Sequence, residues 1–204
     1  MPRAKTALKT RERAGRLAAA DRREQLLDVA ARILLDDGFL ALSMEAVAQR
    51  AGVSKGLGYA YFKNADDLAI ALYDREVGEV YRRVEEAVKR ADAFEARIRA
   101  SVRAYLDAGR ERGAVIAILQ ARLQGRWFAR SGRRRVGEFL AFWAKQLSSD
   151  LGIEREVAEP LAAAMLSATE SAVRAATARR IPRAQVEETC VRFTLGGLGA
   201  FRKP

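Results

Sequence analysis

The sequence predicts an all-α protein, with a small three-helix N-terminal unit followed by a larger helical domain. Apolar residues recur at three- and four-residue spacing along most of the 204 residues, which is the period of amphipathic helices. Proline is scarce, at 4 residues, while Ala and Arg are abundant, and this balance favours helix. No segment alternates polar and apolar residues as a half-exposed strand does. Half of the chain is hydrophobic (50%), so a sizeable core is expected.

Residues 1–19 form a basic arm, in which Lys and Arg far outnumber the one acid, Glu12. Its apolar residues are small and scattered, so we expect a mobile segment that becomes helical only towards residues 18–20. Two interpretations of the arm stay open: a solvated tail, or an arm that reaches the DNA minor groove. The first regular helix is predicted to begin at Asp21 and to end before Gly38.

Residues 43–62 have the layout of a helix-turn-helix, with two short helices around a glycine-containing turn. Ser43 and Ser54 are N-cap candidates, and Gly52 tolerates the positive φ that the turn requires. The second helix of such a motif enters the DNA major groove, and groups at its exit reach phosphates. The residues predicted to bind DNA are Ser43, Ser54, Lys55, Gly56, Leu57, Tyr59, Tyr61 and Lys63.

The same region resembles the tetracycline-repressor (TetR) family of transcriptional regulators. The resemblance rests on "REQLLDVAARILLDDGF", "LSMEAVAQRAGVSKG" and "YAYFKNADDL", which follow one another in the order that the family shows. It implies a DNA-binding domain over residues 20–80 and a helical ligand-binding and dimerisation domain over residues 81–204. It also implies a homodimer on a palindromic operator, most simply a repressor that a small apolar or aromatic effector releases from DNA.

Three positions depart from the family pattern. Gly58 stands where the family usually has Leu, Ala60 where it has a larger or polar residue, and Ala65 where it often has Lys. Two glycines, Gly56 and Gly58, cost a helix roughly 1–2 kcal/mol relative to alanine. Loss of the buried leucine costs more, unless Leu57 or a neighbouring residue fills its space. We therefore hypothesise that this helix frays in the free protein and becomes ordered on DNA.

The remainder of the chain is predicted to be a helix array at about residues 66–90, 94–110, 114–123, 134–149, 154–179 and 183–200. Its middle part is rich in apolar and aromatic side chains, as ligand pockets are. The pocket candidates are Arg103, Tyr105, Leu119, Gln120, Leu123, Trp127, Phe128, Phe142, Trp143 and Glu170. The last two helices are rich in small residues, which suits close helix packing in a dimer. The dimer candidates are Leu161, Met165, Val173, Phe193 and Leu198.

A second basic cluster lies at residues 122–135, where a solvated loop, an entrance for an anionic ligand and a membrane contact are alternatives. The one cysteine, Cys190, favours a small packed side chain over a redox sensor. A single cysteine also favours a reducing compartment, the cytoplasm, and the basic N-terminus is followed by no apolar segment typical of a signal peptide.

The net charge and the absence of histidine limit the classes of function that this protein can have. The formal net charge of +11 is typical of a protein with a polyanionic partner. Histidine is absent, and no paired-carboxylate, metal-spacing or nucleophile motif is present, so we expect neither an enzyme nor a metal or other cofactor. The "KGLG" stretch lacks the order of a phosphate-binding loop. The remaining alternative to a regulator is an architectural, ligand-independent DNA-binding protein.

Overall fold

The computed structural model describes the backbone of residues 3–123 and 132–201, and the side chains of residues 19–123 and 134–201. Within these ranges the chain is all-α, as predicted, and contains no strand. The helices are α1 (Arg3–Asp36), α2 (Met44–Ala51), α3 (Lys55–Tyr61), α4 (Ala65–Lys89), α5 (Phe94–Leu123), α6 (Gly132–Leu151), α7 (Arg155–Ala178) and α8 (Arg183–Gly199). A short 3-10 turn, Phe39–Ala41, follows α1.

Contacts divide the chain into two compact units. The first contains the chain up to Tyr73, and the end of α5 from Val115; the second contains the remainder. Residues 74–80, which the sequence analysis assigned to the DNA-binding domain, have their contacts in the second unit.

The core of the first unit is formed by the apolar face of α1 and by the short helices that pack on it. Leu27, Ala30 and Leu34 of α1 are buried, as are Val47 of α2 and Phe62 after α3. Leu27, Ala30 and Leu34 are three and four residues apart, the spacing of a helix face that packs on a core. The core holds the two short helices in place, because neither is long enough to be stable alone.

The core of the second unit combines side chains of α4 to α8. Tyr81 of α4 stacks on Phe139 of α6, with ring centroids 4.1 Å apart and planes 8° apart. Trp143 is 1% exposed. A further cluster holds the buried Cys190 beside Val102, Ala176 and Val191, and burial raises the pKa of the Cys190 thiol. Cys190 therefore fits the interpretation as a packed apolar side chain.

Two predicted helix boundaries were wrong. The first helix begins at Arg3 and not at Asp21, so the backbone of the basic arm is helical where the structure describes it. Ala, Leu, Lys and Arg are strong helix formers, and no proline lies between Pro2 and the end of α1 at Asp36. The expected break between residues 110 and 114 is also absent, and α5 runs unbroken through Gly113. One glycine costs a helix about 1 kcal/mol, which the burial of Ala108 and Val115 on either side outweighs.

Candidate functional site

Helix α2 begins and ends at the residues that helix-capping preferences predict. The Ser43 hydroxyl accepts a hydrogen bond from the backbone N–H of Ala46 at 3.1 Å. At the other end Gly52 has φ 67° and ψ 32°, the left-handed conformation, and its N–H bonds back to the last turn of the helix. A side chain at this position would be strained by about 1–2 kcal/mol. The turn between α2 and α3 therefore depends on this glycine.

Helix α3 is held at both ends. The Ser54 hydroxyl accepts a hydrogen bond from the backbone N–H of Leu57 at 3.2 Å. Phe62 follows the last helical residue, is 2% exposed, and lies under the guanidinium of Arg23 at 5.2 Å from its ring centroid. The next helix has its own cap, because the Asn64 side chain accepts a hydrogen bond from the N–H of Asp67 at 2.8 Å. Capping and burial together orient a helix of only seven residues.

The residues predicted to bind DNA lie on and around the exposed side of α3. Ser54, Lys55, Gly56 and Lys63 are exposed, and Tyr59 is 44% exposed. Three others are half-buried: Ser43, Leu57 and Tyr61. The first unit therefore presents hydroxyl, ammonium and phenol groups together with an exposed glycine backbone, and all of these are groups that bind nucleic acid.

Met44 occupies the space beside Gly58. A Cβ on Gly58 would lie 3.4 Å from the terminal methyl carbon (Cε) of Met44 and 3.9 Å from the Cβ of Ala48. Gly58 and Met44 are both buried, whereas Leu57 is half-buried. The residue that fills the space of the missing family leucine is therefore Met44 of α2, a neighbour that the sequence analysis left unnamed.

Sequence reasoning missed one residue at this surface, Glu45 in the first turn of α2. Its carboxylate forms an ion pair with the ammonium of Lys55. The hydrogen bond from Lys55 lowers the pKa of Glu45, and the same bond raises the pKa of Lys55. The ammonium also lies 6.0 Å from the ring centroid of Tyr59. Spacing along the chain gave no signal of this contact, because the turn at Gly52 brings the two helix starts together.

The second unit contains a small cavity that α4 to α8 line. Its volume is about 30 Å³, whereas sites for drug-sized ligands have about 300–1,000 Å³. The lining residues are Val84, Ser101, Val102, Tyr105, Phe139, Trp143, Met165, Leu166, Thr169 and Thr194. Among the described residues, the lining is apolar and aromatic, with hydroxyl groups as its polar atoms and no charged side chain.

Two of the pocket candidates, Tyr105 and Trp143, line this cavity, together with Met165, which the sequence analysis assigned to the dimer interface. Phe142 does not line it; its ring packs edge-on against Trp143 at 6.0 Å. Glu170 does not line it either, and burial raises the pKa of its half-buried carboxyl group.

The other pocket candidates lie elsewhere. The guanidinium of Arg103 forms an ion pair with Glu187 at 2.9 Å, and 60% of its side chain is exposed. Leu119, Gln120 and Leu123 have their contacts in the first unit, where the Gln120 amide donates to the Tyr73 hydroxyl at 3.1 Å. Helical spacing cannot tell which unit a long helix such as α5 packs into. Trp127 and Phe128 lie outside the described residues.

The dimer candidates differ in exposure. Phe193 is 68% exposed on α8, whereas Leu198 is buried at 4%. Leu161 and Val173 are half-buried, and Val173 packs on the Cys190 cluster. One face of α7 exposes small residues at three- and four-residue spacing: Ala164, Ser167, Ser171, Ala175 and Ala178. A Cβ at Gly196 or Gly197 would meet nothing within 4 Å.

Part of the second basic cluster is described. The Arg122 guanidinium lies 5.5 Å from the ring centroid of Phe39, and Arg134 forms an ion pair with Glu138 at 3.7 Å. Arg135 lies against Gly78 of α4, where an added Cβ would come within 2.7 Å of its Nη1. In the described part of the chain, no helix is both long and apolar enough to span a membrane.

Residues 26–72 match the family model described as bacterial regulatory proteins, tetR family. The chain is 36% identical to the HTH-type transcriptional activator FasR of Mycolicibacterium smegmatis, over 47% of this chain and 43% of that protein. It is 34% identical to a fatty acid metabolism regulator protein of Bacillus subtilis, over 32% of this chain and 34% of that protein. The matched part thus spans less than half the length of these two relatives.

The fold is similar to solved structures over nearly its whole length. A TetR-family transcriptional regulator from Streptomyces coelicolor matches with a TM-score of 0.63 and 23% identity, covering 88% of this chain and 99% of that chain. At 23% identity this likeness shows the fold alone. Residues 26–72, which match the family model, include the Ser43 and Ser54 caps, the Gly52 turn and α3. The chain is therefore similar to TetR-family bacterial regulatory proteins, in sequence over residues 26–72 and in fold over most of its length.

Proposed function

We propose that this protein is a ligand-responsive transcriptional regulator that binds a palindromic operator as a homodimer, and that it represses until an effector binds. The observation that carries the proposal is the pair of capped helices around Gly52, which presents the exposed side of α3 from a buried core. We assign DNA binding to residues 20–80, and effector binding and dimerisation to residues 81–204. Cytoplasmic DNA is the expected partner.

In this proposal α3 lies in the major groove. Lys55 and Tyr59 face base edges, while Tyr61 and Lys63 bind phosphates at the helix exit. The net charge of +11 supports non-specific binding during the search for the operator. The basic arm of residues 1–19 adds contacts to the flanking minor groove, so deletion of residues 1–18 should weaken binding and reduce its salt dependence.

The effector is proposed to enter the cavity beside Trp143. Because the lining holds hydroxyl groups and no charge, the part of the effector that enters is uncharged and apolar or aromatic. A cavity of about 30 Å³ must widen to admit it, and the flexible Met165 is a side chain that can move aside. One relative is named a fatty acid metabolism regulator, and an acyl chain has the apolar character that this lining requires.

The proposed dimer forms through α7 and α8. The small-residue face of α7 and the exposed Phe193 of α8 allow two copies to approach closely. A two-fold dimer presents two copies of α3 to two operator half-sites, so the operator is expected to be palindromic.

Selection of bound duplexes from a random pool tests DNA recognition. We expect enrichment of one palindrome, with half-sites about one helical turn apart or a multiple of it. Binding without enrichment of any sequence would contradict the proposal and support an architectural protein. A reporter gene behind the selected site then measures the sign of regulation, which matters because one relative is named an activator.

Tryptophan fluorescence tests the cavity. A set of small molecules with matched neutral, anionic and cationic members is titrated into wild-type protein and into Trp143→Phe. The neutral apolar members should quench the wild-type signal and release DNA, whereas the variant should lose most of the spectral response. Release by charged members alone would contradict the assignment of this cavity.

A further inference from the structure

Glu45 and Lys55 form a donor–acceptor pair on the exposed surface of the first unit. Glu45 lies in the first turn of α2, and Lys55 is the first residue of α3. The carboxylate and the ammonium are in direct contact, yet 55% and 60% of these side chains remain exposed. Both charged groups therefore face outward, and Tyr59 lies one turn further along the same side of α3.

The pair has little value for the stability of the fold. Exposed ion pairs contribute little to folding stability because water screens them, and neither side chain belongs to the buried core. Glu45 is also the one acidic residue between Ser43 and Lys63, a stretch otherwise neutral or basic. A carboxylate beside phosphates is repelled, so its position on this surface favours a partner that donates hydrogen bonds.

A G·C base pair has the matching pattern in the major groove. Guanine presents two adjacent acceptors, N7 and O6, and the N4 amino group of cytosine lies next to them as a donor. An ammonium with several donors can bond both guanine acceptors at once. Adenine also offers an acceptor beside a donor, N7 and N6, but it has one acceptor where guanine has two, so an A·T pair allows one hydrogen bond fewer from the ammonium.

We propose that Glu45 and Lys55 together read one G·C base pair in each operator half-site, with Lys55 donating to guanine N7 and O6 and Glu45 accepting from cytosine N4. The inference rests on the proposed DNA-binding function. It makes Glu45 of α2 a specificity-determining residue that acts together with the recognition helix α3.

The test compares base preferences of the full chain and its variants. Duplexes are selected from a random pool by wild type, Glu45→Ala, Lys55→Ala and the double variant, and affinities for G·C and A·T versions of the selected site are then measured. At one position per half-site, each single variant should lose about 5- to 140-fold of the preference for G·C, the range that one good base contact provides. Because the two side chains act on one base pair, the double variant should lose little more than Lys55→Ala alone.

Glu95→Ala is the matched control, since it removes an exposed carboxylate, 66% exposed, from the second unit. It should leave base preference unchanged at every position. Glu45→Gln removes the charge of the side chain but keeps an acceptor oxygen. Circular dichroism verifies that each variant folds.

Two results would overturn the inference: an unchanged G·C preference in Glu45→Ala, or a uniform gain in affinity for all duplexes. The second result would mean that Glu45 acts through charge alone. Failure of the proposed function looks different, because wild type would then enrich no site in the same experiment.

Discussion

Met44 and Gly58 share one space between α2 and α3, where the Cε of Met44 lies 3.4 Å from the position of a Cβ on Gly58. The larger side chain comes from α2, and the residue without a side chain comes from α3. The family resemblance implied a leucine at position 58 of α3, whereas here the larger side chain belongs to α2. It explains how α3 tolerates a buried glycine without leaving a void.

Substitution of the glycines by alanine should separate backbone effects from packing effects. Gly56 faces open space, so Gly56→Ala should raise the free energy of unfolding by about 1 kcal/mol through helix propensity. Gly58→Ala should raise it by less, because the new Cβ touches the flexible end of Met44. Gly52→Ala should lower it by about 1–2 kcal/mol, because φ is 67° there. Urea unfolding measures all three, and a loss larger than 1 kcal/mol in Gly58→Ala would contradict the packing described for Met44.

The Ser54 cap should control the order of α3. The hypothesis that this helix frays when free predicts fast amide exchange at residues 57–61 in the free protein and slow exchange on DNA. Ser54→Ala removes the hydrogen bond to Leu57 and should cost about 1 kcal/mol, with still faster exchange and weaker DNA binding. Ser149→Ala, at an exposed position of α6, is the control and should change neither property. Strong protection of residues 57–61 in the free wild type would refute the fraying hypothesis.

Ionisation of Glu79 should make part of the free energy of unfolding depend on pH. Hydrogen bonds from Arg82, and also from Arg83, lower the pKa of Glu79 from 4.5 to about 2 against an opposing effect of burial. Because the folded pKa is the lower one, the ionised carboxylate stabilises the fold above about pH 4.5. This contribution is lost as the pH falls from about 4.5 to about 2. The difference in unfolding free energy between wild type and Glu79→Gln should therefore shrink across that window. A difference that stays constant with pH would count against the pKa shift; Glu156→Gln, at an exposed position of α7, is the control.

Phe193 should report on dimerisation. Its side chain is 68% exposed in the single chain, so Phe193→Asp should leave the fold intact. Burial of a phenylalanine in an interface contributes about 1.5–3 kcal/mol, which corresponds to roughly a 10- to 100-fold weaker dimer in the variant. Sedimentation over a concentration series measures the shift, and Leu40→Asp, at an 88% exposed leucine of the first unit, is the control. An unchanged mass distribution would exclude Phe193 from the interface.

Capping and turn preferences of single residues predicted the structure of residues 43–64 well. Ser43, Ser54 and Asn64 cap helices because a side-chain oxygen needs only the next turn of its own backbone as a partner. Gly52 has a positive φ because the turn geometry there demands it. Leu27 and Leu34, seven residues apart on one face of α1, are both buried, as the helical spacing of apolar residues indicates.

Features that depend on neighbours distant in the chain were not predictable in this way. The continuation of α5 through Gly113 depends on burial along its whole length. Arg103 was a pocket candidate by composition, yet it forms an ion pair with Glu187, 84 residues away. The cavity is lined by residues from five helices, and of the pocket candidates that the structure describes, only Tyr105 and Trp143 belong to it.

The sequence by itself determined the positions of most helices, the serine and asparagine caps and the glycine turn, because these depend on interactions within a few residues of backbone. The tertiary structure alone decided that Met44 fills the space beside Gly58, that Glu45 meets Lys55, and that hydroxyl and aromatic groups surround the cavity. These relationships depend on which helix faces come together, and a pattern read along one helix contains no information about the partner of each side chain.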